Sequence, residues 1–291
     1  MSIISLFTAR KEAAMKEKVY FHNISHVIVS FCFFILTGRA AAFLMGQIAE
    51  FDAATTEIFP FILAAVCTLL VFRLFKTIIP PPDGTEDALP VMAGRFRKRP
   101  FSMKRYVLET IPHTFITVSL LILVMYLVTI AFTSDGALIN ASRYSDSILA
   151  FLSMIVIHPL AEEYIFRGLY YGKLRSMSPI FACLMQAVMF AISHNGVGGM
   201  MYALIAGIIL GTAAERSNGI TVPVAAHMMI NLRTFLYNEW LPDSLCFSID
   251  LAVMAAGAIS FGIVCLVLKK LPSYENSKKP PSTREEADFD D

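Results

Sequence analysis

The residues best suited to chemistry stand where an apolar helix is expected. The run His-Pro-Leu-Ala-Glu-Glu-Tyr-Ile-Phe-Arg-Gly sets His158, Glu162, Glu163 and Arg167 among large hydrophobic side chains. Glu163 and Arg167 are four apart with the acid first, the favourable order for a helical ion pair. Glu163 therefore has a partner on its own helix. Glu162 points about 100° away and lacks one. A carboxylate removed from water without a partner has its pKa raised towards values useful to a general acid or base. His158 lies one turn before Glu162 and precedes Pro159, which frees a backbone carbonyl and bends the helix. A structural ion pair plus one protonated glutamic acid would account for the same residues.

Two further patterns lie downstream, Phe190-Ala-Ile-Ser-His194 and His227-Met-Met-Ile-Asn231. A histidine at a helix end is commonly an interfacial or satisfied residue. The His227/Asn231 spacing puts an imidazole and an amide on one helix face, an arrangement that helix–helix hydrogen bonding also explains. Glu162, His194 and His227 supply two imidazoles and one carboxylate, a ligand set known for catalytic zinc. There is no HExxH, and a metal-bound Glu162 would require another base while Glu163 is tied to Arg167. The residues favour a glutamate-driven mechanism with no obligatory cofactor; zinc is the alternative.

These side chains need a scaffold, and the composition says which kind. The chain has 291 residues, 56% hydrophobic and 16% charged, with mean hydropathy +0.62. Soluble domains carry about 25% charged residues, so the excess points to the membrane class. A net charge of +1 provides no global field to recruit nucleic acid, and none is expected as a partner. Cys32, Cys67, Cys183, Cys246 and Cys265 form no CxxC pair, so neither a disulfide framework nor a thiolate metal site is indicated.

A spanning helix needs about 20 mostly apolar residues. Candidate spans run over 24–48, 58–78, 106–132, 147–173, 179–196, 198–215, 219–238 and 247–268, an all-α polytopic fold of about eight transmembrane helices. The catalytic cavity is expected between the fourth and seventh. Residues 1–20, with Arg10, Lys11, Lys16 and Lys18, read as a basic cytoplasmic lead-in rather than a cleavable signal. Residues 21–145 hold the first helices and a basic loop, 79–105, rich in Arg95, Arg97, Lys98, Arg99, Lys104 and Arg105. Residues 146–238 form the catalytic helices, 239–270 the last span and 271–291 a disordered cytoplasmic tail. With a cytoplasmic N-terminus, about 20 of the 24 Lys and Arg residues fall on the cytoplasmic side. That bias orients a multi-pass cell-membrane protein with both termini cytoplasmic. Helix rise places Glu162 and His227 roughly 12–17 Å from that side, and His194 about 22 Å. The small-residue stripe Gly199, Ala203, Gly207 and Gly211 permits close helix contact.

Glu162-Glu163-x-x-x-Arg167, Phe190-x-x-x-His194 and His227-x-x-x-Asn231, in this order on three spans, resemble the three motifs of the CPBP family. That family joins type II CAAX prenyl proteases with bacteriocin-processing and self-immunity proteins of the Abi group. The resemblance covers about residues 145–235. It implies an eight-helix membrane fold whose cavity opens towards the cytoplasm. By position, it implies that Glu162 activates water, His194 helps to position it, and His227 and Asn231 bind the oxyanion. Glu163 and Arg167 would hold the fourth helix and assist. Members of the family are often described as metalloproteases.

The expected function is an intramembrane endopeptidase acting on a membrane-associated peptide or protein. Prenylation of that substrate is not implied. The alternative is a catalytically silent immunity or scaffold protein that binds a peptide partner. Buried Glu and His also build proton relays in transporters, but transporters often show repeated halves, and here the polar residues crowd into one half.

Overall fold

The computed structural model describes residues 3–47, 53–79, 103–131 and 148–270. Most of the basic loop 79–105 and the whole tail 271–291 lie outside the described residues. Within them the chain is helical and without strands, and eight helices follow one another. We number them α1 (Ile3–Gln47), α2 (Ala53–Ile78), α3 (Met103–Ala131), α4 (148–174), α5 (Pro179–Ile192), α6 (Val197–Ser217), α7 (Thr221–Glu239) and α8 (Asp243–Lys270).

The basic start and the first span form one uninterrupted helix. From Ile3 to Thr37 there is no glycine or proline to break it. At 45 residues, α1 is about 68 Å long, twice the hydrocarbon thickness of a bilayer. Among the described residues, five stretches are long and apolar enough to cross a membrane: Glu12–Gln47, Ile58–Phe75, Thr110–Ala131, Val197–Ser217 and Asp243–Leu266. Their outward side chains are large and apolar, among them Leu36, Leu127, Ile130, Phe247 and Leu251. Aliphatic and aromatic groups there meet lipid, while the backbone satisfies its own hydrogen bonds within each helix.

The expected fifth span, 179–196, is shorter than its apolar run. Ser178 caps its start, accepting from the backbone N–H of Phe181 at 3.4 Å, and Pro179 follows at the first helical position. The helix ends at Ile192, so it is about 21 Å long. The stop is a tight turn in which Gly196 takes φ +72°, a conformation that costs glycine nothing and other residues much. His194 therefore sits in the turn after α5, not inside a span.

The fourth span is not a regular helix either. Two π-helical segments, Ser153–Ile157 and Tyr164–Tyr171, flank the α-helical stretch His158–Glu163. Pro159 has no N–H to give and its ring crowds the preceding turn. The wide turn before it takes up that crowding, with the N–H of His158 donating to the carbonyl of Ser153.

Two clusters form the interior. One joins α1, α2, α4 and α5 through residues such as Val27, Phe34, Ala64, Phe166, Tyr170 and Ala182. The other joins α3, α6 and α7 through Val118, Leu121, Ile122, Leu210, Ala226 and Ile230. Helix α8 leans on α3, where the Ser119 hydroxyl donates to the Val253 carbonyl at 3.1 Å. Between α5 and α6 the backbones touch: a Cβ built on Gly207 would lie 2.8 Å from Ala187 Cα. The buried Gln186 amide donates to the Gly207 carbonyl across the same contact at 2.7 Å.

This close approach predicts that Gly207→Ala lowers stability by about 1–3 kcal/mol through overpacking. Gly262→Ala, where a Cβ meets nothing within 4 Å, should be neutral. Unfolding of the detergent-solubilised chain checks both; equal stabilities would contradict the backbone contact.

Candidate active site

The site lies at the seam of the two clusters, where α4 meets α7. Glu163 is fully buried, and its Oε1 receives two donors. Arg167 Nη1 donates at 2.8 Å from the same helix. His227 Nδ1 donates at 2.9 Å from α7. The first contact is the expected helical pair; the second ties two helices through one oxygen. Arg167 is also fully buried, and its guanidinium stands 4.3 Å from the ring centroid of Phe190 on α5. That stacking supplies cation–π stabilisation in a place without water.

Because Nδ1 of His227 gives its hydrogen to Glu163, its tautomer and ring orientation are set by that bond. The other ring nitrogen, Nε2, faces Glu162, whose Oε2 lies 3.7 Å away. That is beyond a direct hydrogen bond and within reach of one through water. The two adjacent carboxylates differ in access. The Glu163 side chain is 0% exposed and that of Glu162 16% exposed, so Glu162 alone of the two can meet a molecule arriving from outside.

His194 lies on the other side. Its Nδ1 donates to the Phe190 carbonyl at 2.7 Å. A carbonyl can only accept, so neutral His194 keeps Nε2 as an acceptor. Asn231 donates from Nδ2 to the Met154 carbonyl at 3.0 Å. Met154 belongs to the π-helical segment before Pro159, so the wide turn of α4 offers the carbonyl that holds α7's amide. The amide keeps a second N–H.

A cavity of about 60 Å³ is lined by His194, His227 and Asn231 together with Phe190, Tyr202 and Gly199. A water needs about 10–15 Å³ of such space, so the cavity has room for solvent beside these polar groups. Glu163 and Arg167 stand behind its wall. Glu162 does not line it and approaches it through His227. His158 takes no part: its ring packs 3.9 Å from that of Phe61 on α2.

A zinc site was one reading of Glu162, His194 and His227. Among the described residues no group of three or more His, Cys, Asp or Glu side chains is disposed to hold a metal ion. Glu162 stands outside the cavity lining that His194 and His227 share, so the three side chains do not converge on one ion as arranged.

Sequence reasoning missed several supporting groups. Asp250 of α8 accepts from Arg233 Nε at 2.8 Å, from Tyr126 at 2.7 Å and from Tyr237 at 2.8 Å. This knot fixes α7 two residues beyond Asn231. Glu215 of α6 accepts from Tyr171 at 2.8 Å and from Arg175 Nε at 2.6 Å, pinning the end of α4. Opposite charges in neighbouring spans were the available signal, by the rule that intramembrane ionisable groups are paired or functional. Phe190 was read only as a motif position, yet its ring lies 6.0 Å from that of His227 and 4.6 Å from that of His194.

Residues 144–233 match the family model described as type II CAAX prenyl endopeptidase Rce1-like. Over 97 residues the chain is 28% identical to the membrane-embedded CAAX protease MroQ of Staphylococcus aureus (strain USA300). That stretch covers 31% of this chain and 39% of the relative, so the chain spans about two fifths of the length of the curated protein it matches. No solved structure matches the chain.

Removing one member of a buried ion pair strands the other. Glu163→Ala is expected to destabilise the chain by about 3–5 kcal/mol, and the double change Glu163→Leu with Arg167→Met by less. Chemical unfolding of both variants checks this; equal losses would show that the pair is not coupled.

Proposed function

We propose that this chain, whose residues 144–233 match the model of a type II CAAX prenyl endopeptidase family, is an intramembrane endopeptidase that hydrolyses a peptide bond of a membrane-associated peptide or protein. One observation carries the reading. His227 is held on one nitrogen by buried Glu163, while its other nitrogen lies 3.7 Å from Glu162, beside a cavity shared with His194 and Asn231. On the distribution of Lys and Arg, both termini are cytoplasmic; the family resemblance implies a cavity that opens to that side.

In this reading Glu162 is the base and His194, accepting through Nε2, orients the water. The water oxygen bonds to the scissile carbonyl carbon as its proton passes to Glu162. The carbonyl π pair moves to oxygen, where the free N–H of Asn231 and Nε2–H of a doubly protonated His227 hold the charge. When the C–N bond breaks, Glu162 returns the proton to the leaving nitrogen, giving a carboxylic acid and an amine. Glu163 and Arg167 act by positioning: they set the orientation of His227 and hold α4 against α5.

The experiment is cleavage of a membrane-peptide library by the purified full chain, read by mass spectrometry. Loss of a general base costs about 100- to 10,000-fold, so Glu162→Ala and His227→Ala should leave no detectable product. Cleavage that persists in both variants, or none by the unaltered chain, defeats the proposal.

No obligatory metal is part of it. Activity should survive exhaustive chelation, with no metal found by elemental analysis of the active protein. Stoichiometric zinc that restores a lost activity would replace this mechanism with a metal-dependent one.

A further inference from the structure

Tyr202 stands on α6, and its ring packs with the apolar cluster of Leu121, Ile122 and Ile230. Its hydroxyl is buried and has no hydrogen-bond partner among the described residues. A buried polar group left without a hydrogen bond is destabilising, and a phenylalanine of the same shape would avoid that cost. Yet Tyr202 lines the cavity that His194, His227 and Asn231 line. The other polar groups of that lining are largely spoken for: His194 Nδ1 by Phe190, His227 Nδ1 by Glu163 and one N–H of Asn231 by Met154. The Tyr202 O–H has no partner among the described residues, and the residue lines the space in which a partner can arrive.

We infer that Tyr202 is a further catalytic residue, whose hydroxyl donates a hydrogen bond to the scissile carbonyl oxygen as charge gathers on it. The inference rests on the endopeptidase reading. Tyr202 adds a neutral donor from α6 to the two donors that α7 supplies. A donor with no ground-state partner in the protein needs no bond broken before it acts. A hydrogen bond to an anionic oxygen is about twice as strong as one to a neutral carbonyl, so the gain falls on the transition state rather than on substrate binding.

The test compares Tyr202→Phe with Tyr170→Phe, using the library peptide that the unaltered chain cleaves fastest. Tyr170 also has a buried hydroxyl without a partner among the described residues, but it is not part of the cavity lining. Tyr202→Phe should lower kcat about 100-fold, the loss typical of one oxyanion donor. KM should stay within about twofold, and the unfolding temperature should be unchanged or higher. Tyr170→Phe should keep kcat. An unchanged kcat in Tyr202→Phe overturns the inference and leaves the endopeptidase reading intact. So does an equal loss in Tyr170→Phe, or a loss matched by a lower unfolding temperature. An unaltered chain that cleaves no peptide overturns the endopeptidase reading, and this inference with it.

Discussion

A single carboxylate oxygen governs the geometry of this protein. Burying an ionised carboxylate away from water costs several kcal/mol unless partners meet it with good geometry. Oε1 of Glu163 has two, Arg167 at 2.8 Å and His227 at 2.9 Å. Arg167 in turn rests on the face of Phe190, whose carbonyl orients His194. The need to neutralise one charge thus fixes α4 against α5 and α7. It aims two imidazoles, one on α7 and one in the turn after α5, at a common cavity.

The same constraint recurs away from the cavity. Apolar helices gain little from touching each other in lipid, which is as apolar as they are. Polar contacts must then choose the neighbours. Asp250 gathers Arg233 and two tyrosines from α3 and α7, and Glu215 gathers Tyr171 and Arg175 from the end of α4. Close backbone packing at Gly207 does the remaining work between α5 and α6. Each knot stands where a side of the site must not slip.

Helix α4 shows how backbone irregularity becomes useful. Pro159 forces a departure from the α-helical ladder, and the wide turn that absorbs it releases the Met154 carbonyl, which takes the Asn231 amide at 3.0 Å. Wide turns of this sort are frequent at functional sites. Here the departure from regularity provides the bond that orients a side chain on another helix.

Much of this was legible in the order of residues. The apolar runs gave eight helices, five of them long and apolar enough to cross a membrane among the described residues, since length and hydropathy decide what can span lipid. The Glu163–Arg167 pair followed from helical spacing, because both residues share one helix. Sequence could not decide which neighbour each helix meets. Nothing local links Glu163 to His227 across 64 positions, Arg233 to Asp250, or Tyr202 to the cavity. Nor could it foresee that α5 would stop at Ile192, leaving His194 in a turn beside Gly196, because an apolar run does not reveal where a left-handed residue reverses the chain. Local order determined the elements and the pairs within them, since those depend on nearby atoms and on the solvent. The contacts between elements were settled only in three dimensions, where buried charges such as Glu163 and Asp250 gather donors from neighbouring helices.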